Sequence, residues 1–465
     1  MDFYPAGIVQ TDNGLYPPLP EANKHLLIGL CHTCQAVIVP SPAVVASPLS
    51  GGIEPAKTIC PVCQDQEPSL RTLDAREPKG FFTDLYPSDF EGQFEWSPRS
   101  TRPSLSINDP ANAALAPTGT VNNTAISAVS DHIYSINDNG GVGGFDFQAA
   151  RYYGKPQAGA FTVAESSAAT EGPYPPSPIS VYGPASRVAL LSRRLTDVLV
   201  VNIDKWPDGV FADPTTVSGR AAWYSFAFWL RIAAGDLLDV DVQELQAGFQ
   251  SLSNGAHAIG QAFLCDQLEN GAGYCRELAR PSEFQRLLAQ ADPMTPETIA
   301  AKWMEVNVPQ GAPIPHSQEC DTSCNRCLRD FANLPYHGLL DWRLALDMAR
   351  LASSHGSTVD LTSDWGSAPN PWFPIIQGPN APVPAVLRRL YYDGPTMFST
   401  LQGYVHQTYA TVLLERHPLW RNDHPAWLAA EASVRSQYPH HEVRPINPFT
   451  VLRRPGECVP VIGVG

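Results

Sequence analysis

The second half of the chain alternates short apolar runs with longer, denser apolar segments. TDVLVVNI (196–203) has the length of a buried strand, and IGQAFLCDQ (259–267) predicts a second strand that ends in an acid. GRAAWYSFAFWLRIAAGDLL (219–238) has the length and apolar density of a buried helix. Together these segments predict a mixed α/β domain.

Further helices are predicted downstream of the second strand. SEFQRLLAQA (282–291) is one, and TPETIAAKWMEVN (295–307) is another, with Thr295 at the cap and Pro296 in the first turn. Residues 324–353 are expected to be helical in two pieces, because Pro335 must interrupt the helix.

The first half of the chain differs in composition and is rich in proline, glycine and aromatic residues. FFTDLYPSDFEGQFEW (81–96), followed by Arg99 and Arg102, predicts extended aromatic segments separated by turns, and we expect it to offer an interaction surface. AISAVSDHIYSINDNGGVGGFDFQ (125–148) predicts two strands around an NDNGG turn. Residues 155–183, rich in Pro, Ser, Ala and Gly, are expected to form a linker or surface loop.

These patterns predict a multidomain α+β protein. An N-terminal segment with a zinc ribbon would span 1–66, and a β-rich region would span 67–155. A mixed α/β domain with a helical zinc-binding motif would cover 184–355, and a C-terminal extension that packs on it would cover 356–465. A length of 465 residues fits two or three domains.

Composition narrows the class of protein. Hydrophobic residues make up 43% of the chain, enough for packed cores, and no run of about 18 apolar residues predicts a membrane span. No secretory signal is visible at the N-terminus, so we expect a cytoplasmic protein with reduced cysteines. The net charge of −15 argues against autonomous DNA binding and favours a subunit that relies on a partner.

Two CxxC pairs form the first cysteine group. Cys31 and Cys34 stand in CHTC, and Cys60 and Cys63 stand in CPVC. Two such pairs at this separation predict a zinc ribbon, in which four thiolates close a tetrahedron and leave no position for water. The site is therefore expected to be structural, and His32 is expected to be a bystander.

The second group lies in HSQECDTSCNRC at 316–327. Cys320, Cys324 and Cys327 predict a second zinc site, for which a fourth ligand is needed. His316 is the nearest choice. The three remaining cysteines are alternatives: Cys265, Cys275 and Cys458. A catalytic zinc with water as fourth ligand would match the deaminase pattern, but its HxE and PCxxC signatures are absent, so a structural role is favoured.

Evidence for catalysis is weak. The sequence contains no Walker A motif, H-E-x-x-H, G-x-S-x-G or kinase set. Arg329, Asn333, His337 and Asp341 recur every four residues, but Pro335 prevents one continuous helical face. Asp266, at a strand end beside the turn ENGAGY, is the first candidate for a catalytic acid, and turn stabilisation is the stronger interpretation.

Several strings resemble known proteins. FLCDQLENGAGY and CDTSCNRCLRDFANLPYHGLLDWRLALDMA resemble the zinc-binding domain of unknown function at the C-terminal end of MrfA-type helicases. That domain also occurs in the DrmB family of the DISARM antiphage system. The N-terminal ribbon, EPKGFFTDLYPSDFEGQFEWSPRSTRPSL, SINDNGGVGGFDF and TDVLVVNI resemble the DrmB family more than a helicase. The resemblance covers most of residues 29–355 and is weak after about 360.

The resemblance implies a non-enzymatic subunit that partners a DrmA-like helicase and helps it hold DNA during antiviral defence. Cys320, Cys324 and Cys327 match the family's zinc ligands, and His316 stands where the helicases tend to have another cysteine. A DNA-processing enzyme such as a nuclease is the alternative hypothesis. A zinc-ribbon transcription-like factor is disfavoured because no basic stripe is present.

Overall fold

The computed structural model describes most of the chain. The described residues are 2–5, 9–11, 14–16, 26–39, 57–65, 67–82, 102–106, 119–139, 143–152, 155–163, 179–255, 257–305, 316–354, 357–378 and 380–460. Sheets and helices both contribute, so the predicted α+β class is confirmed.

Strands within the described residues are numbered β1 to β20 in chain order. They are Asp2–Pro5, Val9–Thr11, Gly14–Tyr16, Leu26–Cys31, Val37–Ile38, Lys57–Thr58, Leu70–Arg76, Pro78–Phe82, Arg102–Ser104, Gly119–Val121, Thr124–Asn137, Phe145–Tyr152, Lys155–Val163, Ile179–Ile203, Leu245–Ser253, Ala258–Asp266, Tyr392–Phe398, Leu401–His406, Thr411–Glu415 and Glu442–Ile446.

Helices within the same residues are numbered α1 to α10. They are Val217–Leu238, Tyr274–Leu278, Pro281–Ala289, Ile299–Met304, His316–Glu319, Trp342–Ser353, Phe373–Ile376, Pro382–Arg389, Pro425–Gln437 and Pro448–Arg453. Short 3-10 turns lie at Val242–Glu244, Leu334–Tyr336 and Pro455–Cys458.

The chain divides into two compact units. The first unit comprises residues 1–115, 130–196 and 250–257, and the second comprises 116–129, 197–249 and 258–465. The bounds of the four domains proposed from the sequence stay a prediction.

The first unit is built on a β-sheet. Its strands follow the order β5, β4, β7, β14, β12, β13, β1 and β8. Strand β4 pairs antiparallel with β7 over its whole length, from Leu26 opposite Ala75 to Cys31 opposite Leu70. Apolar side chains of β4, β5, β7 and neighbouring strands form a small core that includes Ile28, Leu73 and Leu191. The end of β4 thereby fixes the position of Cys31.

Helix α1 is the central element of the second unit. Buried side chains surround it on nearly every side, and it packs against α6 and β16. Thr216 caps its N-terminus by accepting a hydrogen bond from the backbone N–H of Gly219. Asp239 ends it in the left-handed conformation. Because a helix that is apolar all round needs partners on all sides, α1 forms the axis of this unit's core.

Residues after 356 belong to the second unit and contain a second sheet. Its order is β17, β18, β19 and β20. The first three strands are antiparallel, and β19 and β20 are parallel because α9 carries the chain back across the sheet. The backbone of Phe211 bonds to the carbonyl oxygen of Leu419, and Val210 forms a β-bridge with Trp420.

The strongest apolar patterns were predicted correctly. The run at 196–203 ends β14, the segment 219–238 is α1, and the run at 259–267 is β16. The segment 282–291 forms most of α3, and strands β11 and β12 flank the NDNGG turn.

The helix expected to begin at Thr295 begins three residues later. Thr298 is its cap and accepts a hydrogen bond from the backbone N–H of Ala301 at 3.1 Å. Glu297 has φ 75°, in the left-handed region, so a helix cannot run through it. The hydroxyl of Thr295 instead donates to Asp292 at 2.6 Å.

Two other expectations also need correction. No helix starts at Cys324. The Asn333 side chain accepts the backbone N–H of Asp330 and donates to the carbonyl of Leu328, and these bonds stabilise turns before the helix. Helix α6 starts only at Trp342. The expected linker at 155–183 begins as strand β13 and ends within β14, and residues 164–178 lie outside the described residues. Most of the aromatic segment 81–96 also lies outside them.

Candidate metal centres

The first cysteine group converges as its spacing predicted. Cys31, Cys34, Cys60 and Cys63 bring their sulfur atoms within 4.8 Å of one another in the first unit. The sulfurs of Cys31 and Cys63 lie 3.8 Å apart, as do those of Cys34 and Cys60. A disulfide requires about 2.05 Å, so these are separate thiols.

Two matching turns create this first group. The backbone N–H of Gln35 bonds to the carbonyl oxygen of Cys31 at 3.1 Å, and that of Gln64 bonds to the oxygen of Cys60 at 2.9 Å. Both glutamines have positive φ, 63° and 51°. The left-handed residue after each pair folds the chain back, so both cysteines of a pair face inwards. The shared string CxxCQ carries this signal in the sequence.

His32 is turned away from the sulfurs. Its Nδ1 lies 2.8 Å from the carbonyl oxygen of Ser69, and its side chain is exposed. The hydroxyl of Ser69 lies 3.4 Å from the sulfur of Cys31 and 3.8 Å from that of Cys63. Ser69 therefore supports the group from outside, a role that the sequence alone did not reveal.

The second group brings His316 together with three cysteines. Ligand atoms of His316, Cys320, Cys324 and Cys327 all lie within 4.8 Å of one another in the second unit. The sulfur of Cys327 lies 4.0 Å from that of Cys320 and 3.9 Å from that of Cys324. His316 opens helix α5, whose single turn carries the chain to Cys320.

The orientation of His316 decides which ring nitrogen can bind a metal. Nδ1 lies 3.2 Å from the carbonyl oxygen of Trp303, and because a carbonyl only accepts, Nδ1 carries the proton. Nε2 is buried and has no hydrogen-bond partner within the described residues. Packing between Trp303 and Trp342 fixes the ring plane. An oriented, otherwise unpartnered nitrogen beside three sulfurs is the arrangement of a metal ligand.

A fully buried arginine supports the second group. Arg343 donates from Nε to the carbonyl of Pro371 at 2.8 Å, and from its terminal nitrogens to Asp321 at 2.7 Å and Cys320 at 3.3 Å. The indole N–H of Trp342 also donates to the Cys320 carbonyl, at 3.1 Å. Helix α6 thereby anchors the backbone that carries the first cysteine of the group.

Acidity in the second group favours metal binding. A hydrogen bond from the Cys327 thiol lowers the pKa of Cys324 to about 4 and that of Cys320 to about 6. Burial raises the pKa of Cys327. Burial alone would lower the pKa of His316, but the neighbouring Cys320 raises it overall. Thiolates, the form that binds metal ions, are therefore favoured at Cys320 and Cys324.

Both groups fit zinc. Sulfur atoms placed tetrahedrally about 2.3 Å from one zinc ion lie about 3.8 Å apart. The distances of 3.8 Å in the first group meet this value, and those of 3.9 and 4.0 Å in the second are close to it. Each group supplies four ligands, which completes a tetrahedron and leaves no open position for a reacting water.

The rival fourth ligands lie elsewhere in the second unit. Cys265, Cys275 and Cys458 are buried and belong to neither four-ligand group. The sulfur of Cys265 lies 3.9 Å from the side-chain oxygen of Gln246. Burial raises the pKa of Cys275, and it raises the pKa of Cys458 to about 11. They are buried thiols within the core.

Asp266 stabilises a turn. One oxygen of its carboxylate accepts the backbone N–H groups of Ala272 and Gly273, both at 2.7 Å, and of Tyr274 at 3.2 Å. The other oxygen accepts that of Cys275 at 3.0 Å. The carboxylate is fully buried beneath the turn that leads into α2.

The polar series after Cys327 is also structural. His337 Nε2 lies 2.9 Å from the side-chain oxygen of Asn333 and 3.0 Å from the carbonyl of Asp330. Asp341 caps α6 and forms an ion pair with Arg453 at 3.2 Å. His337 and Asp341 therefore have different partners within the described residues.

A buried polar network in the C-terminal part was not predicted. Asp347 accepts hydrogen bonds from the Nε2 of His417 at 2.9 Å and the indole of Trp372 at 3.0 Å. His417 Nδ1 accepts the backbone N–H of Leu419 at 3.2 Å, so Nε2 is the nitrogen that donates to Asp347. His417 begins the string HPLW, the one visible signal, and the network ties residues after 356 to helix α6.

Comparison with known proteins gives little further information. No family model matches the chain, and no curated protein matches it. Among solved structures, it is similar to the DUF1998 helicase MrfA bound to DNA, with 12% sequence identity and a TM-score of 0.21. The similarity covers 47% of this chain and 24% of the helicase chain, and at this TM-score it carries no argument.

Among the described residues, no helix combines the length and hydropathy that crossing a bilayer requires.

Proposed function

We propose that the chain binds two structural zinc ions, one in each four-ligand group. The observation that carries this proposal is the buried, unpartnered Nε2 of His316, held beside three cysteine sulfurs by the hydrogen bond from Nδ1 to Trp303. Burying such a nitrogen without a partner is costly, and a metal ion satisfies it. Zinc suits thiolate and imidazole ligands in a closed tetrahedron.

The zinc ions would fix the loops that carry their ligands. The first would join the turns around Cys31 and Cys60, and the second would fix the stretch from His316 to Cys327. Metal binding and folding free energy are then the same quantity. Metal analysis after reducing purification without chelator is expected to give two zinc ions per chain, and a value near one or none contradicts one or both assignments.

We further propose that the protein is a non-catalytic subunit of a DISARM-like antiphage complex. It would partner a DrmA-like helicase in the cytoplasm and support DNA binding within that complex. Sequence resemblance to the DrmB family supports this proposal. The two strings that resemble the zinc-binding domain shared with MrfA-type helicases form strand β16 with the Asp266 turn and the cysteines of the second metal group. The net charge of −15 and the absence of nucleotide-binding motifs agree with a role that depends on a partner.

Co-expression with a DrmA-like helicase, followed by size-exclusion chromatography at physiological salt, tests the partnership. The two chains are expected to elute together, and the complex is expected to bind DNA far more tightly than this chain alone. Isolated protein should show no ATP hydrolysis. Separate elution with and without DNA contradicts the proposal.

The contacts of Asp266 argue against the nuclease alternative. All four contacts of the Asp266 carboxylate described above are with backbone N–H groups of one turn. A metal-dependent nuclease would need free carboxylate oxygens that face a cleft. The subunit hypothesis is therefore preferred.

A further inference from the structure

A cavity outside both metal groups lies wholly within the second unit. It has a volume of about 390 Å³ and is lined by the end of α3, the segment 291–294, the last turn of α6 and the segment around Trp365. This volume falls within the usual range for small-molecule sites, and it is far larger than a phosphate or sulfate ion needs.

Arg350 is the cationic group of this cavity. Its guanidinium carbon lies 4.8 Å from the centre of the Trp365 ring, which is almost fully buried. Within the described residues, the Arg350 side chain makes no hydrogen bond or ion pair beside its stacking on Trp365. Stacking on tryptophan therefore holds the cation in place while its donors remain available to a ligand.

The acid that lines the cavity is already engaged. One oxygen of Asp292 accepts the backbone N–H of Met294 at 2.9 Å, and the other accepts the hydroxyl of Thr295 at 2.6 Å. Asp292 therefore serves its own turn and does not pair with Arg350. An anionic ligand group could consequently occupy the donors of Arg350.

The remaining lining suits a planar heterocycle. Leu288, Pro293 and Met294 supply apolar surface, while Asn122 and Gln285 supply amide groups. A side-chain amide offers a donor and an acceptor together, the pattern that matches the edge of adenine. An anion-binding group, apolar surface and amides in one cavity correspond to the three parts of a nucleotide.

We propose that this cavity binds an adenine nucleotide, either free or at the end of a single strand. Its phosphate would pair with Arg350, and its base would lie against the apolar lining within reach of the amides. Because Arg350 lies in the last turn of α6, where the helix dipole disfavours anions, the guanidinium is required for phosphate binding. The inference does not depend on the zinc ions or on a helicase partner.

Calorimetric titration of the full chain with AMP tests the proposal. AMP is expected to bind, and Arg350→Gln is expected to weaken binding by ~10-fold or more, as loss of a charge-assisted contact implies. Arg389→Gln is the matched control, because Arg389 is exposed at the end of α8 and does not line the cavity. No binding at millimolar AMP, or equal binding by wild type and Arg350→Gln, overturns the proposal.

Titrations with further ligands distinguish a free nucleotide from the end of a single strand. Tighter binding of a short oligonucleotide that ends in a 5′-phosphorylated adenosine assigns the site to a strand end, and tighter binding of AMP assigns it to a free nucleotide. Inorganic phosphate that binds as well as AMP overturns the proposal. Ala289→Trp places bulk in the cavity from an exposed position and should abolish binding without lowering the melting temperature.

Discussion

The Nδ1 atom of His316 lies 3.2 Å from the carbonyl oxygen of Trp303. Trp303 belongs to α4, and His316 opens α5, so the contact joins two short helices of the second unit. This hydrogen bond assigns the proton to Nδ1 and leaves Nε2 for the metal ion. The relationship distinguishes His316 from the three core cysteines as the proposed fourth ligand.

His316→Ala is expected to reduce the zinc content from two ions per chain towards one, because the second group would retain only three ligands. His316→Cys should retain both ions, since a thiolate can replace the imidazole in a structural site. Zinc measured by mass spectrometry after gel filtration provides the test. His32→Ala is the control and should keep both ions, because His32 faces Ser69 and is turned away from the sulfurs.

Arg343→Met is expected to loosen the second zinc ion. Three thiolates and a neutral imidazole around Zn²⁺ carry one net negative charge, and Arg343 is a fully buried cation whose hydrogen bonds, within the described residues, go to carbonyl oxygens. Loss of such a supporting residue typically weakens metal binding by about 10- to 100-fold.

Zinc release into a chromophoric chelator measures this effect. One of the two release phases should accelerate in Arg343→Met, and the phase from the first group should not change. Arg326→Ala is the control, because Arg326 is an exposed neighbour that pairs with Glu319 and Glu305. Unchanged release from both groups would limit Arg343 to a packing role.

The sequence was most informative where one local pattern determined the structure. The apolar run of β14 and the dense apolar segment of α1 were predicted because an element that is buried on all sides has an almost continuously apolar sequence. The CxxC pairs predicted the first ligand group because each turn fixes two sulfurs. Local spacing was sufficient in these cases.

Features that depend on distant parts of the chain were missed. The choice of His316 over Cys265, Cys275 and Cys458 depends on the position of the Trp303 carbonyl. The sequence did not reveal the role of Arg343, because an arginine within an amphipathic helix is ordinarily expected to face solvent. The start of α4 was misplaced because the left-handed conformation of Glu297 has no sequence signal.

Asp266→Asn is expected to lower stability without removing a reactive group. Replacing a carboxylate that accepts four backbone N–H groups leaves some of those donors unsatisfied, at a cost of about 2–3 kcal/mol. Thermal unfolding measures the loss, and Glu269→Gln, an exposed change in the same turn, should have little effect. Loss of a DNA-cleaving activity at an unchanged melting temperature would instead support the nuclease hypothesis.

Glu415 should make the stability of the second unit depend on pH. This residue lies on β19, is 2% exposed, and its Oε1 has no hydrogen-bond partner within the described residues. Burial raises the pKa of Glu415 from 4.5 to about 8. Between these values the folded chain binds a proton that the unfolded chain releases, so stability is greatest at low pH in this window and falls as pH rises towards 8.

Glu415→Gln removes this proton linkage while preserving the shape of the side chain. Urea unfolding of the wild type should show stability falling by about 1.4 kcal/mol per pH unit between pH 6 and 7, beyond the slope of the variant, and less steeply as the pH approaches 8. At pH 8 the variant should be the more stable protein, and the difference should narrow towards pH 6. Glu442→Gln, an exposed change on the neighbouring strand β20, should retain the wild-type slope. Parallel pH profiles for wild type and Glu415→Gln would show that Glu415 has the same pKa in the folded and unfolded chain.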